Sequence, residues 1–145
     1  QWGWNALLFL VLIIPGIVSL ANLHPYQYIY YNQFVGGVEG AYRQYDLDYW
    51  LTSYKKVFES GLTQLPAGSQ VLTQHHWQPV VYSRSNNIAS TRMQKDLEPS
   101  AEDFDYVLLS TYRDADLAYF PDAPVVYAVE VSGATLMVLK KLPGE

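Results

Sequence analysis

The chain has 145 residues, half of them apolar and only 16% charged, with a net charge of -5 and no cysteine. The apolar share argues against disorder, and the lack of any strongly basic stretch argues against nucleic acid, whose phosphates need clustered Lys and Arg. Without cysteine there is no disulfide, thiolate nucleophile or Cys-based zinc site.

Soluble domains carry about 25% charged residues, so the deficit here asks for a segment that needs no charge. Ala6 to Ala21 is that segment: ALLFLVLIIPGIVSLA, with Ser19 its only polar side chain. Extended from Trp2 to Leu23 it has 22 residues, and at about 1.5 Å per residue it can cross a hydrocarbon core of about 30 Å. Trp2 and Trp4 stand where an interfacial aromatic belt would lie. Pro15-Gly16 is tolerated in a membrane helix. A signal peptide would need a positive n-region that is not present, and a buried soluble helix would need a large surrounding protein. The expectation is therefore a transmembrane helix over residues 1–23. The first residue is Gln, not Met, so the chain is expected to be part of something longer. Residues 22 to 48 hold one basic residue, Arg43. The bias of Lys and Arg towards the cytoplasm therefore does not hold this side there, and the expectation is a cell (inner) membrane span with everything after about residue 23 on the extracytoplasmic side.

Residues 24–46 form a Tyr- and Gly-rich connector. Eight of the 13 tyrosines lie between His24 and Tyr54. Tyrosine joins an apolar ring to a polar tip, which suits a membrane–water boundary and also suits sugar binding. Gly36-Gly37 and Gly40 mark a turn or a close backbone approach. They do not form a GxGxxG pattern and no P-loop occurs, so a nucleotide-phosphate cradle has no support. His24 precedes Pro25 at the membrane exit, where it either ends the helix or meets a phosphate.

Residues 47–145 are expected to form a small extracytoplasmic α/β domain. Leu47, Trp50, Leu51, Tyr54, Val57, Phe58, Gly61 and Leu62 recur at helical spacing, with Asp46 or Asp48 as cap and Pro66-Ala67-Gly68 as stop. Gln70–Gln74 reads as a strand, Pro79–Ser83 as a strand or short helix, and residues 84–103 as loop. Asp105–Thr111 is a buried strand, and Val125–Val131 and Ala134–Lys140 flank Ser132-Gly133 as a hairpin. The fold class is α/β: one transmembrane helix, then a mixed sheet ending in a β-hairpin.

Three D-x-D pairs occur, Asp46/Asp48, Asp103/Asp105 and Asp114/Asp116. Such pairs can hold a divalent metal, but three among 14 acidic residues read as chance or capping. His75 and His76 are adjacent and would point to opposite faces of a strand. Trp77 is a core or edge aromatic, with a carbohydrate platform as the sharper alternative. Ser53, Ser83 and Ser110 lack the G-x-S-x-G context of a hydrolase nucleophile.

The stretch HPYQYIYYNQFVGGVEGAYRQYDLDYWLTSY resembles a segment that follows the last transmembrane helix of bacterial family 39-type glycosyltransferases, the relatives of dolichyl-phosphate-mannose protein mannosyltransferases. The matching residues are His24, Pro25, Tyr26, Tyr28, Tyr30, Tyr31, Asn32, Gly36, Gly37, Gly40, Ala41, Tyr45, Asp48, Tyr49, Trp50, Ser53 and Tyr54; Leu51 stands where that pattern often has Gly. The resemblance implies an integral membrane enzyme that moves a sugar from a polyprenyl-phosphate donor to an acceptor on the outer face. It also implies that the catalytic acidic residue lies in an upstream loop, so this part has no catalytic residue, metal or cofactor of its own. Whether the parent needs a divalent metal stays open. His24, Tyr26, Tyr30, Asn32, Asp48, Tyr49 and Trp50 are the residues it marks for substrate contact. Partners would be the lipid bilayer, the upstream helices and the lipid-linked donor. The competing expectation is a membrane-anchored binding domain without enzymatic activity.

Overall fold

A computed structural model describes residues 2–74, 89–92 and 103–143. The expectations for His75, His76, Trp77 and Pro79–Ser83 lie outside the described residues.

Helix α1 runs from Trp2 to Asn22 with Pro15 inside it. Its apolar side chains stay almost entirely exposed: it is long and apolar enough to cross a membrane, and none of its spanning window is buried by the rest of the chain. The connector follows as two 3₁₀ turns, Gln27–Ile29 and Gln33–Val35, and the short helix α2, Gly37–Ala41. Gly40 is required there by close packing, because a Cβ at that position would lie 2.1 Å from the Val35 carbonyl oxygen. Leu23, Ile29, Val38, Ala41 and Leu47 close into one apolar cluster with Ala134 and Leu136. The connector thus packs directly onto the β-hairpin.

The helix expected from Leu47 starts later. Helix α3 spans Ser53–Lys56 and continues as a π-helical turn, Val57–Gly61, and a 3₁₀ turn, Leu62–Gln64. The residues before it cannot be helical, since Asp48 and Leu51 take φ of +50° and +54°. That left-handed excursion turns Asp48 inward while Tyr49 and Trp50 face out.

Five strands form one mixed sheet in the order β2-β1-β3-β5-β4. They are β1 Gln70–Thr73, β2 Ala89–Arg92, β3 Tyr106–Ser110, β4 Val125–Val131 and β5 Ala134–Lys141. β1 pairs in parallel with β2 and β3, whereas β5 pairs antiparallel with β3 and β4. β2 falls inside the segment read as loop. As an edge strand it is held by backbone pairing to β1, and its residues, ASTR, give no apolar signal. The hairpin turns at Ser132-Gly133 with both φ positive (+48° and +81°), the backbone a tight two-residue link needs.

Alternation in the strands supplies two apolar faces. Val71, Leu108, Met137 and Leu139 pack against Tyr54, Val57, Phe58 and Leu62 of the helical segment. Leu72, Val107, Leu109 and Val138 pack on the other side with Leu142, Phe104 and Phe120. Short helix α4, Ala115–Ala118, follows β3. A Cβ on Gly61 would sit 2.7 Å from the ring of Tyr127, so helix and sheet touch through bare backbone at that point. Gly61→Ala is therefore expected to overpack this contact and cost about 1–3 kcal/mol, read as a lowered urea midpoint of the chain in mild detergent at unchanged m-value.

Candidate functional site

The segment read as marking substrate contact folds around Asp48. Its side chain is 1% exposed. Burying a carboxylate is costly unless its oxygens are filled, and here they are. Oδ1 accepts from Tyr28 Oη and from the Thr52 amide at 2.9 Å. Oδ2 accepts from Ser53 Oγ. Asp48 thereby caps the start of α3 from several residues upstream, and through Tyr28 it ties the connector to that helix. Burial pushes the Asp48 carboxyl above the usual carboxylate range, opposed by the hydrogen bonds from Ser53, Tyr28 and Thr52. Burial and the same carboxylate push the Tyr28 phenol well up.

The other marked residues fall into two sets. Asn32 is a local cap: its Oδ1 accepts from the Phe34 amide at 3.0 Å. Tyr30 is half-buried among the connector's apolar cluster, with its hydroxyl against Gly16 of α1. Tyr49 and Trp50, in contrast, are exposed and meet edge to face at 5.5 Å. Tyr112, just beyond the carboxyl end of β3, meets Tyr49 in the same manner at 5.8 Å. This aromatic cluster lies where β3 ends, the side of a parallel sheet on which ligand crevices form.

His24 and Tyr26 line an open groove of about 700 Å³ with Thr52, Lys55, Lys56, Glu59 and residues 127–130 of β4. The His24–Pro25 peptide is cis, and His24 Nδ1 accepts from Gln27 Nε2 at 2.8 Å. The groove starts where α1 ends and carries both signs of charge, with Lys55 4 residues before Glu59 and 3.8 Å from it. Burial and the Asp48 charge raise the Tyr26 phenol.

Three charged features escaped sequence reasoning. Arg43 binds Asp116 through both guanidinium nitrogens, at 2.6 and 2.9 Å, and Asp114 at 2.6 Å. Hydrogen bonding to Asp116 holds the guanidinium above its ordinary range. This D-x-D pair thus clamps an arginine on the connector; the partners are 71 and 73 residues apart, and no local pattern announces them. Asp105 accepts from the Gln70 amide at 2.8 Å, fixing the start of β1. Lys140 is buried and donates to the carbonyls of Asp116 and Phe120 at 2.7 and 2.9 Å, and burial lowers its pKa. Ser110 Oγ accepts from the Tyr112 amide. Among the described residues, no group of three or more His, Asp or Glu is placed to hold a metal.

Comparison with protein-family models, with curated proteins and with solved structures yields no match to this chain.

Two outcomes are expected at Asp48. Tyr28→Phe removes one donor from the buried carboxylate and should cost about 1–3 kcal/mol in denaturant unfolding. The second concerns pH. Because the folded carboxyl is raised, the folded state binds its proton more tightly than the unfolded state, whose value is about 3.9. Stability from this group is fully present below about pH 3.9 and is lost as pH rises through the folded value. The urea midpoint of the wild type, relative to Asp48→Asn, should therefore fall as pH is raised from about 3 to 7; a flat difference would show that the carboxyl is not raised.

Proposed function

We propose that the chain is the C-terminal, membrane-attached part of an integral membrane glycosyltransferase. The parent would transfer a sugar from a polyprenyl-phosphate donor to an acceptor on the extracytoplasmic side of the cell membrane. This part would be scaffold or cleft wall and would hold no catalytic residue. One observation carries the reading: the HPYQYIYYN…GG…GA…DYW…SY segment directly follows a helix long and apolar enough to span a membrane.

The arrangement of that segment supports a division of labour. Tyr28, Tyr30, Asn32, Asp48 and Ser53 make contacts inside the chain and position the connector. Tyr49 and Trp50 offer exposed aromatic faces, the surface on which sugar rings stack. His24 and Tyr26, at the membrane exit, line the groove nearest a lipid-linked donor. Activation of the acceptor hydroxyl would fall to a carboxylate of the upstream part. Any divalent metal would be the parent's.

A second reading, a membrane-anchored binding domain without enzymatic activity, is favoured by the internal pairing of Asp48, Asp116 and Lys140. The full-length parent separates the two. In a transfer assay with polyprenyl-phosphate sugars, replacing both Tyr49 and Trp50 by Ala should lower kcat/KM by about tenfold or more, equivalent to losing ~1.4 kcal/mol of binding. The chain should still unfold cooperatively, with a midpoint lowered only by the loss of the exposed ring contacts of Tyr49 with Trp50 and Tyr112. Full activity after deletion of residues 24–145 would contradict a cleft role.

A further inference from the structure

Tyr30 and Gly16 set the depth at which the connector lies beside α1. A Cβ built on Gly16 would be 3.5 Å from Tyr30 Oη, so the phenol rests on the helix backbone. Gly16 comes 7 residues before Leu23, which is about 10 Å along a helix axis. Exposure along α1 gives the same picture. Ile13 and Leu20 are 37% and 38% exposed, against 74% for Leu12. Ile13, Gly16, Leu20 and Leu23 recur at three- and four-residue steps and so share one helix face. Through Tyr30 the connector therefore reaches back to the outer end of α1.

Two further observations concern what surrounds this returning segment. No Asp, Glu, Lys or Arg occurs before Glu39, so the absence of charge continues well past the end of α1 and through the returning chain. Phe34 is 97% exposed at the tip of the turn Gln33–Val35. Asn32 caps that turn and Gly36 closes it in the left-handed region, which holds Phe34 outward. A capped turn that presents a phenylalanine, three residues on from the tyrosine that touches α1 and without charge, fits the boundary between lipid headgroups and acyl chains.

We propose that Tyr30–Val35 is a second membrane contact, a re-entrant turn lying in the outer headgroup–acyl boundary with Phe34 among the acyl chains. The α/β unit is then attached at two points, α1 and this turn, and its orientation over the bilayer is fixed. The inference rests on α1 spanning the membrane and is independent of any reaction.

The lack of native cysteine allows one nitroxide to be placed at a time in the chain reconstituted in lipid nanodiscs. Leu12→Cys reports the middle of α1, Phe34→Cys the turn, and Ala67→Cys the opposite end of the sheet. That end lies about 26 Å from the hairpin turn, the length of an eight-residue strand such as β5. Collision with oxygen, which partitions into lipid, is compared with collision with a water-soluble nickel chelate. The oxygen-to-nickel ratio at position 34 should be several-fold above that at 67 and approach that at 12. A ratio at 34 equal to that at 67, with 12 still lipid-like, overturns the turn's insertion and leaves the span intact. A water-like ratio at 12 overturns both.

Discussion

A carboxylate removed from water destabilises a fold by several kcal/mol unless its oxygens are filled by donors. Asp48 is removed from water at the junction between the connector and the α/β unit, and its donors come from both sides of that junction. Tyr28 belongs to the connector; Thr52 and Ser53 begin helix α3. Any displacement of the connector from the helix would strip a donor from a buried charge. The apolar cluster of Leu23, Ile29, Val38, Ala41 and Leu47 against Ala134 and Leu136 supplies area but little direction. Asp48 supplies the direction, and Arg43 gripped by Asp114 and Asp116 adds a second directed tie from the connector to the sheet unit.

The consequence for function is a separation between residues that build the junction and residues that remain outside. The polar groups that sequence inspection would nominate for chemistry are largely held inside: Asp48 by three donors, Asp116 by Arg43, Lys140 by main-chain carbonyls. The outward-facing set is aromatic, with Tyr49 and Trp50 displayed by the same left-handed backbone that turns Asp48 in. This division agrees with the proposed reading of the segment as scaffold or cleft wall.

Much of the fold was legible in the residues. The run Val107–Leu109 between polar neighbours gave β3, and Ser132-Gly133 between two β-rich runs gave the hairpin. The start of α3 was misread for a physical reason. Leu47, Leu51 and Tyr54 do turn away from water, but around a capping turn and not along one helix, and apolar spacing does not distinguish the two. β2 was missed because an edge strand can be held by backbone pairing alone. At the site, the residues offered Asp46 or Asp48 as the cap of a helix from Leu47, and Asp48 takes that role for a helix that starts later, at Ser53. The Tyr28 donor was not legible, nor was the Arg43 clamp, since only the folded chain brings those partners together.

Hydrogen exchange at the Thr52 amide reads the closure of the Asp48 junction itself. That amide donates to Asp48 Oδ1 rather than to a helix carbonyl, so its protection reports whether the junction is closed. A junction closed around Asp48 predicts that in the wild-type chain this amide exchanges as slowly as the amides linking β3 to β5. Exchange of Thr52 as fast as an exposed loop amide, with the sheet still protected, would contradict it.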